Sequence, residues 1–106
     1  MTDRVAEHVR RFDAAMASGD WPAFVAGFTP DAVMTFEGVA AGPFVGRDAI
    51  LAGYLAQPPT ASLTVTWVDT DGETDVASVG WHDGGTRTMA ITWRDGRVAR
   101  LAIAFD

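Results

Sequence analysis

The chain has no cysteine and no lysine, which removes thiolate nucleophiles, Cys-bound zinc and Schiff-base lysines from its repertoire. Any chemistry falls to Asp, Glu, His, Tyr, Ser, Thr or Arg. Glu37 is the conspicuous carboxylate of the segment DAVMTFEGVAAGPFVGRDAILAGY, Asp31 to Tyr54, in which strand, Gly/Pro hairpin and amphipathic helix follow closely. Facing an apolar pocket, Glu37 would be desolvated, its pKa would rise above the carboxylate reference of about 4.3, and it could act as base or acid near neutrality. At a solvated strand end before Gly38 it would be an ordinary surface carboxylate. Tyr54 has the same two readings: a pocket donor that orients a carbonyl or hydroxyl, or a core residue beside Ile50 and Leu51 with its hydroxyl at the rim.

Other titratable groups offer less. His82 sits next to Asp83 and a Gly-Gly turn and reads as a surface imidazole, while His8, one turn beyond Arg4, reads as partly exposed at the edge of an apolar stripe. Neither has a second histidine at ligand spacing, so no metal site is expected. Asp69, Asp71, Glu73 and Asp75 alternate through a turn but lack the glycine and distant glutamate of an EF-hand, and read as a solvated acidic hairpin. GPFVGR lacks the Lys-Ser/Thr pair of a phosphate loop, and Ser78 in ASVG is no nucleophile elbow. With no cofactor motif, the chemistry expected is cofactor-independent.

The elements that position these residues follow from periodicity. Val5, Val9, Phe12 and Met16 place a first helix from near Thr2 or Asp3 to Ser18-Gly19. Asp20 caps a short second helix with Trp21-Pro22 in its first turn and Phe24, Val25 and Phe28 on its apolar side. After Thr29-Pro30-Asp31 come a strand and a Gly/Pro loop returning to Phe44-Val45, then a third helix from Arg47 to Gln57, ended by Pro58-Pro59. Strands are expected over Ser62 to Asp69, Asp75 to His82, Thr86 to Arg94 and Arg97 to Phe105, joined by Asp-Gly and Gly-Gly turns.

Short turns between successive strands imply an antiparallel meander, so the class is α+β. Parity puts Leu63, Val65 and Trp67, then Ala77, Val79 and Trp81, then Met89, Ile91 and Trp93, then Leu101, Ile103 and Phe105 on the face toward the helices. The other face carries small residues such as Ser78, Thr88, Ala90, Ala102 and Ala104, a surface suited to a homodimer through the outer sheet face or to plain solvation.

The 106 residues fit one domain, 1–106, with one core. A formal charge of −6 opposes nucleic acid as the main partner. No apolar run approaches a membrane span and the charged start MTDRVAEHVR is no signal peptide, so a cytoplasmic protein without membrane attachment is expected.

Phe12 with Ser18-Gly19-Asp20-Trp21, Phe28 to Ala32, Gly46-Arg47-Asp48-Ala49-Ile50 and the closing strands, in this order, resemble the SnoaL-like branch of the nuclear transport factor 2-like superfamily, which includes polyketide-cyclase-like and ketosteroid-isomerase-like domains. The resemblance implies a cone-shaped α+β barrel, three helices on a curved, mostly antiparallel sheet, often dimeric, with a deep pocket for a small apolar molecule. Glu37 then falls at the family's proton-shuttling carboxylate and Tyr54 at a tyrosine of its pocket network, with Phe12, Trp67, Trp81, Met89 and Leu101 as pocket lining. Phe12 and Met89 fall where ketosteroid isomerases place their oxyanion-hole tyrosine and protonated aspartate, and neither side chain can donate a hydrogen bond. Losing one such donor costs on the order of 100-fold in rate, which argues against steroid isomerisation. Two functions remain: an isomerase, cyclase or dehydratase using Glu37 for proton transfer on a carbonyl or cyclic substrate, and a non-catalytic ligand-binding or dimerisation domain.

Overall fold

The structure is a computed structural model that describes residues 4–38, 42–59, 63–81 and 85–105, the side chains of Leu63, Trp81 and Phe105 excepted. Helix α1 (Arg4–Ser18) buries Val5, His8, Phe12 and Ala15, at alternating intervals of three and four. The stripe is rotated slightly from the expected one, so His8 takes the buried place assigned to Val9. Helix α2 (Trp21–Val25) begins where Asp20 Oδ1 accepts a hydrogen bond from the Ala23 N–H at 3.2 Å, and Pro22 occupies its first turn.

Strand β1 (Phe28–Glu37) pairs with the short β2 (Phe44–Val45), and α3 (Arg47–Ala56) follows. The Arg47 guanidinium donates to the Phe28 carbonyl at 3.4 Å and ties the start of α3 to the start of β1. Then β3 (Leu63–Asp71), β4 (Thr74–Trp81), β5 (Thr86–Arg94) and β6 (Arg97–Phe105) form the expected antiparallel meander. At the β5–β6 turn Asp95 and Gly96 both have positive φ, 54° and 80°, as an Asp-Gly hairpin of the I′ kind requires.

Sheet order is β2-β1-β6-β5-β4-β3, with β1 parallel to β6. The sheet does not close. It is an open, curved α+β cone with β2 and β3 as its edges, where a barrel was expected.

Register assigns every strand residue to a face, since directly paired residues point the same way. Met34, Leu101, Ile91 and Asp75 form one row, and Phe36, Ile103, Met89 and Ala77 the next. Both rows face the helices. On the opposite face Glu37, Ala104, Thr88, Ser78 and Trp67 form a third row. The register of β3 shifts between Val65 and Trp67, Val65 pairing with Val79 and Trp67 with Ser78. One extra residue reverses the alternation, so Trp67 leaves the face it was expected to share with Val65 and is 55% exposed.

The expected acidic hairpin is also not uniformly solvated, because Asp75 is 0% exposed. Its carboxylate accepts from Arg4 Nε at 2.5 Å and Arg4 Nη2 at 3.1 Å, from Thr70 Oγ1 at 2.6 Å and from the Trp93 indole N–H at 3.0 Å. Burial alone would raise the pKa of Asp75; the hydrogen bonds from Arg4, Thr70 and Trp93 and the charge of Arg4 outweigh it and hold the pKa below the usual value. Truncation would strand the Arg4 cation and two donors without their acceptor. Asp75→Ala is expected to lower the unfolding free energy by about 3 kcal/mol in urea titrations, with Thr70→Val costing clearly less.

Candidate functional site

The expected site residues separate onto two sides of the sheet. Phe12, Met89 and Leu101 lie buried in the core, as does Tyr54, whose ring stacks on Trp21 with centroids 4.7 Å apart and planes almost parallel. Burial raises the Tyr54 pKa well above its ordinary value. Glu37 is exposed on the outer face beside Ala104, in the same row as Trp67. The structure therefore does not bring the Glu37 carboxylate together with Phe12, Met89 and Leu101. The Trp81 side chain and His82 lie outside the described residues.

Beyond the fully buried rows the apolar inner face continues but is less covered. Phe36, Phe44, Leu51, Val65 and Ile103 are only partly buried against the core, and the Phe36 and Phe44 rings meet edge to face at 6.1 Å. Phe36 and Ile103 are paired neighbours on β1 and β6, near the ends of those strands.

A concavity lies at the other end of the sheet, between α1, the α2–β1 connection and the β5–β6 hairpin. It is a cleft of about 80 Å³ lined by Arg4, Glu7, His8, Arg11, Phe28 and Trp93, among others. His8 is 6% exposed. Its ring stands 5.3 Å from that of Phe24, 6.0 Å from Phe28 and 6.4 Å from Trp93. Burial, with a smaller contribution from the positive charge of Arg11, lowers the His8 pKa to about 4, so the imidazole is neutral at physiological pH. At the rim, Glu7 is held by Arg10 and by Arg11 Nε, the latter at 3.3 Å. Gly27 lies beneath Arg11, and a Cβ at this glycine would stand 2.6 Å from Arg11 Nη1.

His8 is the residue that the sequence assigned to the wrong environment. The signal was present in its spacing, since it stands three residues after Val5 and four before Phe12, but a polar side chain on that stripe reads as its edge until Phe24, Phe28 and Trp93 are seen to enclose it.

Residues 9–104 match the SnoaL-like domain family. No match is found among curated proteins. Solved structures share the fold. A candidate polyketide cyclase from Sinorhizobium meliloti is 30% identical, with 97% of this chain and 94% of that one aligned at a TM-score of 0.67. A candidate isomerase from Bacillus subtilis is 22% identical over 100% of this chain and 90% of its own, at a TM-score of 0.77. A candidate ketosteroid isomerase from Kribbella flavida is 21% identical over 99% of this chain and 79% of its own, at a TM-score of 0.75. The last two likenesses establish the nuclear transport factor 2-like cone and nothing finer. Among the described residues no helix is long and apolar enough to cross a membrane.

The neutral His8 makes stability depend on pH with a definite sign. Its folded pKa of about 4 lies below the unfolded reference of about 6.5, so in that window the unfolded chain binds the extra proton and stability falls as pH is lowered. Urea unfolding at a series of pH values should show the wild type losing roughly 3 kcal/mol more than His8→Leu between about pH 6.5 and pH 4. Parallel curves for the two proteins would mean that folding does not lower the His8 pKa.

Proposed function

The chain belongs to the SnoaL-like domain family, and from that premise we propose that it is a small-molecule-pocket protein that holds an apolar molecule at the open end of the cone without proton transfer by Glu37. The observation that carries this reading is the apolar wall of Phe36, Phe44, Leu51, Val65 and Ile103, left partly uncovered above a packed core. Burying such surface contributes about 25 cal/mol per Å², enough to bind a small apolar ligand with few polar contacts. Against catalysis stand the side chains at the two oxyanion positions, Phe12 and Met89, which lack donors, and the exposed placement of Glu37 on the opposite face.

A cofactor-independent isomerase, cyclase or dehydratase is the second reading. It is favoured by the candidate polyketide cyclase of Sinorhizobium meliloti at 30% identity. In that reading Glu37 would move the proton and Tyr54 would orient the substrate, which requires a rearrangement that brings both to the side of the apolar wall.

The outer sheet face supports a further proposal, self-association as a homodimer. Its floor is small, with Ser78, Thr88, Ala90, Ala102 and Ala104, and it is flanked by Trp67 at one side and by Val45, 69% exposed, at the other. A two-fold axis would set each Trp67 against the partner's floor of small residues, a self-complementary arrangement.

Thermal denaturation with 2-naphthol as the apolar probe tests the pocket. At about tenfold above its Kd the probe should stabilise the protein by roughly 1.4 kcal/mol, a rise in Tm of about 5 °C or more. Phe36→Ala should abolish the rise and Glu37→Gln should preserve it. Conversion of an added cyclic ketone that Glu37→Gln eliminates would instead establish the enzyme reading. For the dimer, sedimentation equilibrium should give twice the chain mass for wild type and a monomer for Ala90→Arg with unchanged circular dichroism; a monomeric wild type rejects the assembly.

A further inference from the structure

We propose that the cleft between α1 and the β5–β6 hairpin is a separate binding site for a small carboxylate, held by the Arg11 guanidinium and a ring N–H of His8. It is remote from the apolar end of the cone. Trp93, on its wall, stands four residues along β5 from Met89, about 13 Å at the strand rise.

Three observations point to a ligand. First, His8 makes no hydrogen bond with the protein among the described residues although it is 6% exposed and lines the cleft. Its ring nitrogens are not sealed from the cleft, so a group held there can meet the ring N–H. Second, Arg11 spends its Nε on Glu7 and lays Nη1 over Gly27, in space that a Cβ would occupy. Its Nη groups have no other hydrogen bond among the described residues. Third, the cleft, of about 80 Å³, has room for a group as small as a carboxylate.

The charges at the rim disfavour a multiply charged anion. Arg4, Arg10 and Arg11 are matched by the carboxylates of Asp75, Glu7 and Glu73, the last acting on Arg4 through its charge. Arg4 is committed to Asp75 and the Gly72 carbonyl. Arg11 is therefore the cation that remains for a ligand, and its planar fork matches the two oxygens of a carboxylate. A neutral imidazole adds one N–H donor and no second charge, whereas Glu7 beside it disfavours a dianion. Phe24 and Phe28 supply apolar contact for the carbon end of the molecule.

The test is nuclear magnetic resonance of the full chain titrated with sodium acetate, with sodium chloride holding ionic strength constant and inorganic phosphate as a second titrant. Acetate is expected to give saturable shifts at the His8 ring and the Gly27 amide, stronger than those given by phosphate. Arg11→Gln should weaken acetate by about tenfold or more, as loss of a charge-assisted hydrogen bond does. Gly27→Ala should do the same by displacing chiefly the flexible end of Arg11, the Phe24 carbonyl standing 3.4 Å from the added Cβ, with a small change in Tm. His8 resonances that acetate leaves unmoved, equal affinity in wild type and Arg11→Gln, or tighter binding of phosphate than of acetate would each overturn the proposal.

Discussion

One buried carboxylate holds the helical layer to the sheet. Asp75 accepts hydrogen bonds from Arg4 on α1, Thr70 on β3 and Trp93 on β5, so a single side chain on β4 joins the first helix to three neighbouring strands. The ion pair is also what places Arg4 over the Trp93 ring, 5.6 Å from its centroid, and Trp93 in turn forms a wall around His8. A charge this deep is tolerated only because every partner is in place. The geometry of the α1 end of the molecule therefore rests on an electrostatic contact as much as on apolar packing.

The second organising constraint is strand register. Alternate residues of β1 go to opposite sides, Met34 and Phe36 toward the helices and Thr35 and Glu37 away from them. The carboxylate and the apolar wall are adjacent in sequence and separated by the thickness of the sheet. Chemistry that needs both in one cavity has to overcome that alternation, whereas ligand binding by the wall alone does not.

Elements set by local rules were legible in the sequence. The Asp20 cap, the proline-terminated third helix and the Asp-Gly hairpin follow from backbone preferences within a few residues, and β5 and β6 have the bounds expected of them. What was not legible depends on distant partners. Trp67 is outward because of a shift in its pairing with β4, which no period-two reading of β3 could reveal. Asp75 looked like one more acidic residue until Arg4, 71 positions away, was brought against it. His8 required three aromatic rings from two other parts of the chain. Parity put Met89 and Leu101 on the side of the helices but Trp67 there as well, which the register shift reverses, while the side of the sheet on which Glu37 lies was decided by its pairing with β6.

The open sheet leaves two strands with unpaired backbone, and the chain treats them differently from the interior ones. Strand β2 has two residues, and β3 carries the register break beside Trp67 and ends in Asp69, Thr70 and Asp71. A short strand and a kinked, acid-tipped one are poor templates for edge-to-edge addition of another chain. The break that turns Trp67 outward thus has a colloidal consequence: it guards a half-exposed, β-rich segment against growing into a continuous intermolecular sheet.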